Sequence, residues 1–154
     1  MKQLIQRYPI TSEVASFFFL LLMMVLTGMV AERLVGPHEA ERMRREIVEL
    51  FGRYHPFFII VFFPWIETLL FQALPAVIGQ IYIRQPVWRW LIIVVPFGLA
   101  QYDPSVAVGT LFNGLGVGVI LGYAYLKYMP HSHYRAILVT WMLHAAGNAC
   151  AYFT

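Results

Sequence analysis

Charge is what this sequence has least of. Only 12% of its 154 residues are Asp, Glu, Lys or Arg, about half the share usual in soluble domains. Hydrophobic residues supply 60%, more than a soluble protein of this size can hide. Cysteine is nearly absent too. Cys150 stands alone, which excludes an intramolecular disulfide and any multi-cysteine metal site; it is expected to pack as a small apolar residue in a helix. The net charge of +3 is spread along the chain, without the clustered basic face of a nucleic-acid binder, so no nucleic-acid partner is expected. What is left is one membrane domain over residues 1–154, with an N-terminal portion, 1–55, and a core, 56–154.

A helix that crosses a bilayer needs about 20 mostly apolar residues. The few charges divide this chain into five such segments, at residues 13–34, 56–83, 88–102, 104–126 and 134–154. The third is short, because only 13 residues separate Arg89 from Asp103. Lys2 and Arg7 precede an apolar run at 14–31, as in a signal peptide. That run has 18 residues, more than a usual signal core, and no small-x-small site stands before Glu32. A retained membrane helix is therefore expected. Six basic residues fall on the N-terminal side (Lys2, Arg7, Arg84, Arg89, Lys127, Arg135) and five on the other (Arg33, Arg42, Arg44, Arg45, Arg53). That margin of one favours the N-terminus inside.

Between the first two segments the pattern changes. Gly36-Pro37 ends one helix and can open another, since proline suits the first helical position. Glu39 and Glu41 then fall in the first turn, where the helix dipole favours acids. Glu41 and Arg45 form an i,i+4 pair in the favourable order. Met43, Ile47, Leu50 and Phe51 recur at helical spacing. These features predict an amphipathic helix lying in the membrane interface. In the fourth span Gly114, Gly118 and Gly122 form a stripe of small residues that lets helices approach closely. Packing inside the bundle is the preferred reading of this stripe, and an oligomer seam is the alternative. His131 and His133, in a short polar loop, are read as solvated histidines ahead of metal ligands.

Polar residues at membrane depth carry the functional signal. Such groups cost several kcal/mol unless a partner or a watery cavity receives them. Glu67 lies in an uncharged run from 56 to 83. Thr68 and Gln72 are four apart on the same segment, with Glu67 about 100° from Thr68 by helix geometry. Phe97 and Gln101 are four apart on the third, and His144 and Asn148 are four apart on the fifth, so each pair shares a face. Lipid offers these groups no hydrogen bonds, so the three faces are expected to converge. A carboxylate in such a place can take a proton from water, and an imidazole and carboxamides can orient that water or donate to a developing oxyanion. The same set would suit a proton relay or a polar path in a transporter.

The motifs Glu67-Thr68-Leu69-Leu70-Phe71-Gln72, Phe97-Gly98-Leu99-Ala100-Gln101 and His144-Ala145-Ala146-Gly147-Asn148 resemble those of the CPBP intramembrane proteases, the family of CAAX-processing and bacteriocin-processing enzymes. That family carries Glu-Glu-x-x-x-Arg, Phe-x-x-x-His and His-x-x-x-Asn or His-x-x-x-Asp in this order. The glycine-rich stretch from Phe112-Asn113-Gly114 to Gly122-Tyr123 fits as well, so the resemblance covers about residues 56–154. Three positions depart: Thr68 stands for the second glutamate, Gln72 for the arginine and Gln101 for the histidine. The resemblance implies Glu67 as general base and His144 with Asn148 as oxyanion donors. Gln101 would hydrogen-bond the water without acting as acid or base, with Thr68, Gln72 and Phe97 in support.

No cofactor is expected. Glu67 and His144 are the only strong potential metal ligands in the set, whereas a catalytic zinc normally takes three protein ligands. Two readings follow from the resemblance. One is a divergent glutamate-dependent endopeptidase acting on a membrane-associated peptide or protein. The other is a catalytically silent relative that binds a membrane partner as a scaffold. A transporter is disfavoured by the absence of an internal repeat and by the small number of spans. The expected setting is an integral, multi-pass protein among membrane lipids, in the cytoplasmic membrane of a bacterium.

Overall fold

The computed structural model describes residues 10–104 and 107–153. Lys2 and Arg7 lie outside the described residues, as do the side chains of Met43, Ile47, Leu50 and Phe51, the apolar stripe expected on the interfacial helix. Every regular element among the described residues is helical: α1 (Ile10–Leu34), α2 (Pro37–Arg53), α3 (Phe58–Tyr82), α4 (Pro86–Ala100), α5 (Ala107–Tyr128) and α6 (His133–Phe153). In hydrocarbon each peptide group must find its partner within its own segment, which leaves helices as the only choice for such sequences. Large apolar side chains such as Phe18, Phe19, Leu70 and Leu99 point outward, as they should where the surrounding medium is lipid.

The architecture is an all-α polytopic membrane bundle with one amphipathic helix set apart from it. Helices α1, α3, α5 and α6 are long and apolar enough to cross a membrane. Helix α4 has 15 residues, which at 1.5 Å per residue rise about 22 Å, short of a hydrocarbon core about 30 Å thick. It starts at Pro86, earlier than hydropathy indicated, because proline is tolerated in a first turn. It stops at Ala100, short of the expected end at Tyr102. Between α4 and α5 the Asp103 N–H donates to Thr110 Oγ1 at 3.0 Å. Helix α2 follows the Gly36-Pro37 break as the sequence predicts, with α1 as its main packing neighbour.

Helix α5 is the hub, packed on α4, α1 and α6. Of the two readings of its glycine stripe, the structure has packing inside the bundle. Gly114, Gly118 and Gly122 are buried and meet α4: a Cβ at Gly118 would stand 3.0 Å from the Val94 carbonyl oxygen, and one at Gly122 3.2 Å from Ile93 Cγ2. The stripe thus packs against α4 of the same chain. On the other side of the hub, α1 brings Leu20 and Met24 into a core with Phe97, Leu121, Ala124 and Leu143. A second core joins Ala73 and Ala76 of α3 to Ile93, Tyr125, Tyr128 and Ala136. At the end of the bundle that holds the start of α1, Arg135 pairs with Glu13 and Lys127 Nζ donates to Ser16 Oγ at 2.8 Å. His133, read from sequence as solvated, is exposed and also has Nδ1 3.2 Å from Tyr125 Oη.

Helix α3 departs from α-helical geometry twice. Residues Phe58–Phe62 and Thr68–Ala73 are π-helical, and each stretch ends just before a proline, Pro64 and Pro75. A proline inside a helix lacks an N–H and its ring collides with the carbonyl four residues back; widening the preceding turn relieves that collision. The Phe63 N–H accordingly reaches Phe58 O, and the Leu74 N–H reaches Leu69 O, five residues back in both cases. Single π-turns of this kind are frequent at functional sites. The extra residue in the second turn lets Gln72 and Ala73 both face inward.

Candidate functional site

The site is built where α3, the end of α4 and the middle of α6 meet. Its centre is Glu67, at the junction between the α-helical turn Phe63–Glu67 and the second π-turn. Glu67 Oε2 lies 3.4 Å from His144 Nε2, and Gln101 Nε2 donates to the same oxygen at 3.4 Å. Three side chains placed on three separate spans by their spacing thus meet at one carboxylate oxygen. The His144 side chain is 5% exposed and that of Glu67 is 29% exposed. The imidazole is therefore the inner partner, and the carboxylate is the more exposed of the two.

Helix α4 matters here because it is short. Gln101 caps its C-terminal end, beside Gly114, whose Cβ would come 2.8 Å from Gln101 Cβ. Gly114 lies about two turns into α5, or about 10 Å from its start. The carboxamide of Gln101 therefore sits at membrane depth on the end of a helix that stops there. Irregular backbone at such depth is tolerated where it lines a cavity or is covered by protein. Phe97, one turn earlier, is 1% exposed. Its ring stands edge-on to His144 with centroids 5.5 Å apart, and to Phe71 at 5.9 Å. It is an apolar wall for the imidazole.

Asn148 has a different neighbour. Its Nδ2 donates to the Ile59 carbonyl at 3.0 Å, and the reason lies in Pro64. The Phe63 N–H, which would serve Ile59 O in an α-helix, is taken by Phe58 O. The residue five along is Pro64, which has no N–H. The Ile59 carbonyl is thus left without a main-chain donor, and Asn148 supplies one from α6. Trp141 Nε1 donates to Val61 O at 2.9 Å in the same stretch, and its ring meets Trp65 edge-on at 5.3 Å. The first π-turn is in this way fastened to α6 at two carbonyls.

Thr68 and Gln72 are fully buried and lie on the inner side of α3, behind Glu67. Thr140, one turn before His144 on α6, is equally buried and was not singled out from the sequence. The signal was available: it precedes His144 by four residues, the same spacing that linked His144 to Asn148. Among the described residues no three of His, Cys, Asp and Glu gather into a metal-holding group, so a metal ion at Glu67 and His144 would find two protein ligands. A groove of about 480 Å³ runs over α1 and α5 between Phe19, Met23, Trp90 and Tyr123, and Glu67, Gln101, His144 and Asn148 do not line it.

The fold and the site define a bundle of apolar helices, four of them long enough to cross a membrane, with a Glu–His–Gln cluster that runs from the buried His144 to the exposed Gln101. In comparisons with known proteins, no family model, curated protein or solved structure matches the chain.

Proposed function

We propose that this chain is a divergent, glutamate-dependent intramembrane endopeptidase of the CPBP type, acting on a membrane-associated peptide or protein in the cytoplasmic membrane of a bacterium. The observation that supports it is the meeting of Glu67, His144 and Gln101 at one carboxylate oxygen. Its order along the chain is that of the motifs the sequence resembles. In this reading Glu67 takes a proton from a water molecule that Gln101 helps to orient, and the resulting hydroxide adds to the scissile carbonyl carbon. The C–N bond then breaks, and the proton held by Glu67 passes to the departing nitrogen. His144 Nε2–H donates to the carbonyl oxygen as it gains charge. Asn148 retains a second amide hydrogen for the same task while the first holds Ile59 O.

Asn148 also favours a second reading. Its bond to Ile59 O has a structural purpose that needs no substrate, and Thr68 and Gln72 stand where the family carries charged groups. A catalytically silent relative that grips a partner through this pocket would keep all of these contacts. The two readings separate in one experiment. Purified protein in nanodiscs is incubated with candidate membrane peptides, alongside Glu67→Gln, and products are identified by mass spectrometry. The peptidase reading expects cleavage that falls by about 10²–10⁴-fold in Glu67→Gln, the usual contribution of a general base. Cleavage that survives the substitution would remove Glu67 from the base role. A stable stoichiometric complex with an uncut partner would favour the scaffold.

A further inference from the structure

Behind the Glu67–His144 contact, five buried polar atoms have no hydrogen-bond partner among the described residues: Thr68 Oγ1, Gln72 Oε1 and Nε2, Thr140 Oγ1 and His144 Nδ1. Native interiors rarely leave such atoms unpaired, and a membrane interior offers no compensation. Their grouping is not accidental. Helices α3 and α6 run antiparallel, with Ile59 against Asn148, Glu67 against His144, and Ala76 in the same core as Ala136. That register puts Thr68 level with His144 and Gln72 level with Thr140. All five atoms thus occupy facing turns of two helices, with Phe97 and Phe71 as an apolar wall alongside.

The chemistry of the set narrows what it can hold. Two hydroxyls and a carboxamide each offer both donors and acceptors, and none carries charge. A cation would call for carboxylates and an anion for basic groups. A neutral, mixed set suits water, which in protein interiors makes about three hydrogen bonds to groups otherwise unsatisfied. The imidazole adds a direction. Its Nε2 faces a carboxylate oxygen, which accepts, so in the neutral ring Nε2 carries the proton and Nδ1 is left as an acceptor. A water O–H bonded to Nδ1 completes the ring's hydrogen bonding and holds that tautomer, as outer-shell partners commonly do for functional histidines.

We propose that Thr68, Gln72 and Thr140 form an intramembrane hydration site whose bound water hydrogen-bonds His144 Nδ1, which makes Thr140 and Gln72 positioning residues for the imidazole. The site does not depend on the peptidase reading, since a silent relative with the same geometry would hold the same water.

The test uses the full chain, with ¹⁵N-histidine, in lipid bilayers studied by magic-angle-spinning NMR. The His144 signals are identified as those lost in His144→Gln. In the wild type the expected result is the Nε2–H tautomer with a water cross-peak to Nδ1. Thr140→Val keeps the side-chain shape but removes the hydroxyl, and Gln72→Leu removes the carboxamide. Each is expected to move the Nδ1 resonance by several ppm and weaken the water contact, while Thr140→Ser restores both. A wild-type Nδ1 without a water contact would overturn the proposal, and so would an Nδ1 signal unchanged in both Thr140→Val and Gln72→Leu. The wild-type and Thr140→Ser spectra decide the matter even if a larger change fails to fold. No substrate is involved, so the outcome is separate from any cleavage assay.

Discussion

Gly114→Leu should pull Gln101 away from Glu67 and lower the stability of the bundle by about 3 kcal/mol, the upper end for overpacking a tight site. The first added carbon alone would stand 2.8 Å from Gln101 Cβ and 2.9 Å from the Gly98 carbonyl oxygen. The second of these is backbone and cannot turn aside, so α4 would have to shift as a whole. Because Gln101 caps that helix, the shift reaches the Glu67 carboxylate directly. Unfolding in a graded detergent–denaturant series measures the loss. Gly52→Ala is the control, because nothing lies within 4 Å of its would-be Cβ; it should leave the midpoint unchanged or raise it slightly, as alanine is the better helix former. An unaltered midpoint in Gly114→Leu would mean that α4 and α5 are not packed through this glycine.

The second large effect concerns Asn148 and Pro64 together. Asn148→Leu removes the donor to the Ile59 carbonyl and leaves that oxygen unpaired at membrane depth, which should cost about 1–3 kcal/mol. In a Pro64→Ala background the new N–H can serve the same stretch of helix, so the Asn148→Leu cost should shrink by about half or more. A double-mutant cycle reads this coupling without attributing the whole of either effect to one bond. Strict additivity would show that Asn148 and the proline-disrupted turn are energetically independent. The cycle also bears on catalysis, because it measures what Asn148 does for the fold before any substrate is present.

Both predictions depend on features that the sequence announces only in part. Gln101 and Gly114 were each visible, one as a polar residue at a motif position and the other in a small-residue stripe. That they touch follows only from the antiparallel packing of α4 on α5. Asn148 shared a face with His144 by spacing, and that much is correct. Its partner is a carbonyl, and the need for it arises from Pro64, whose effect on the turn before it was not foreseen. Thr140 went unnoticed because a threonine in a membrane helix usually satisfies itself, bonding a carbonyl one turn back; here its hydroxyl makes no such bond. His133 is exposed, as its place in a polar loop implied, and its contact with Tyr125 Oη was not foreseen.

The all-helical class, the order of the apolar helices, the helix that opens after Gly36-Pro37, and the three polar faces were legible in the sequence alone, whereas the shortness of α4 was not. The reason is that hydrocarbon leaves the backbone one solution, and charges mark where each span must stop. Helical spacing then tells which residues share a face. It cannot tell which face meets which, and it assumes a regular turn. The tertiary structure decided those two matters. Pro64 and Pro75 widen α3 into π-turns, and the short α4 ends at the depth of Glu67. The antiparallel register of α3 and α6 then gives Glu67 to His144, Asn148 to Ile59, and Thr140 to the level of Gln72.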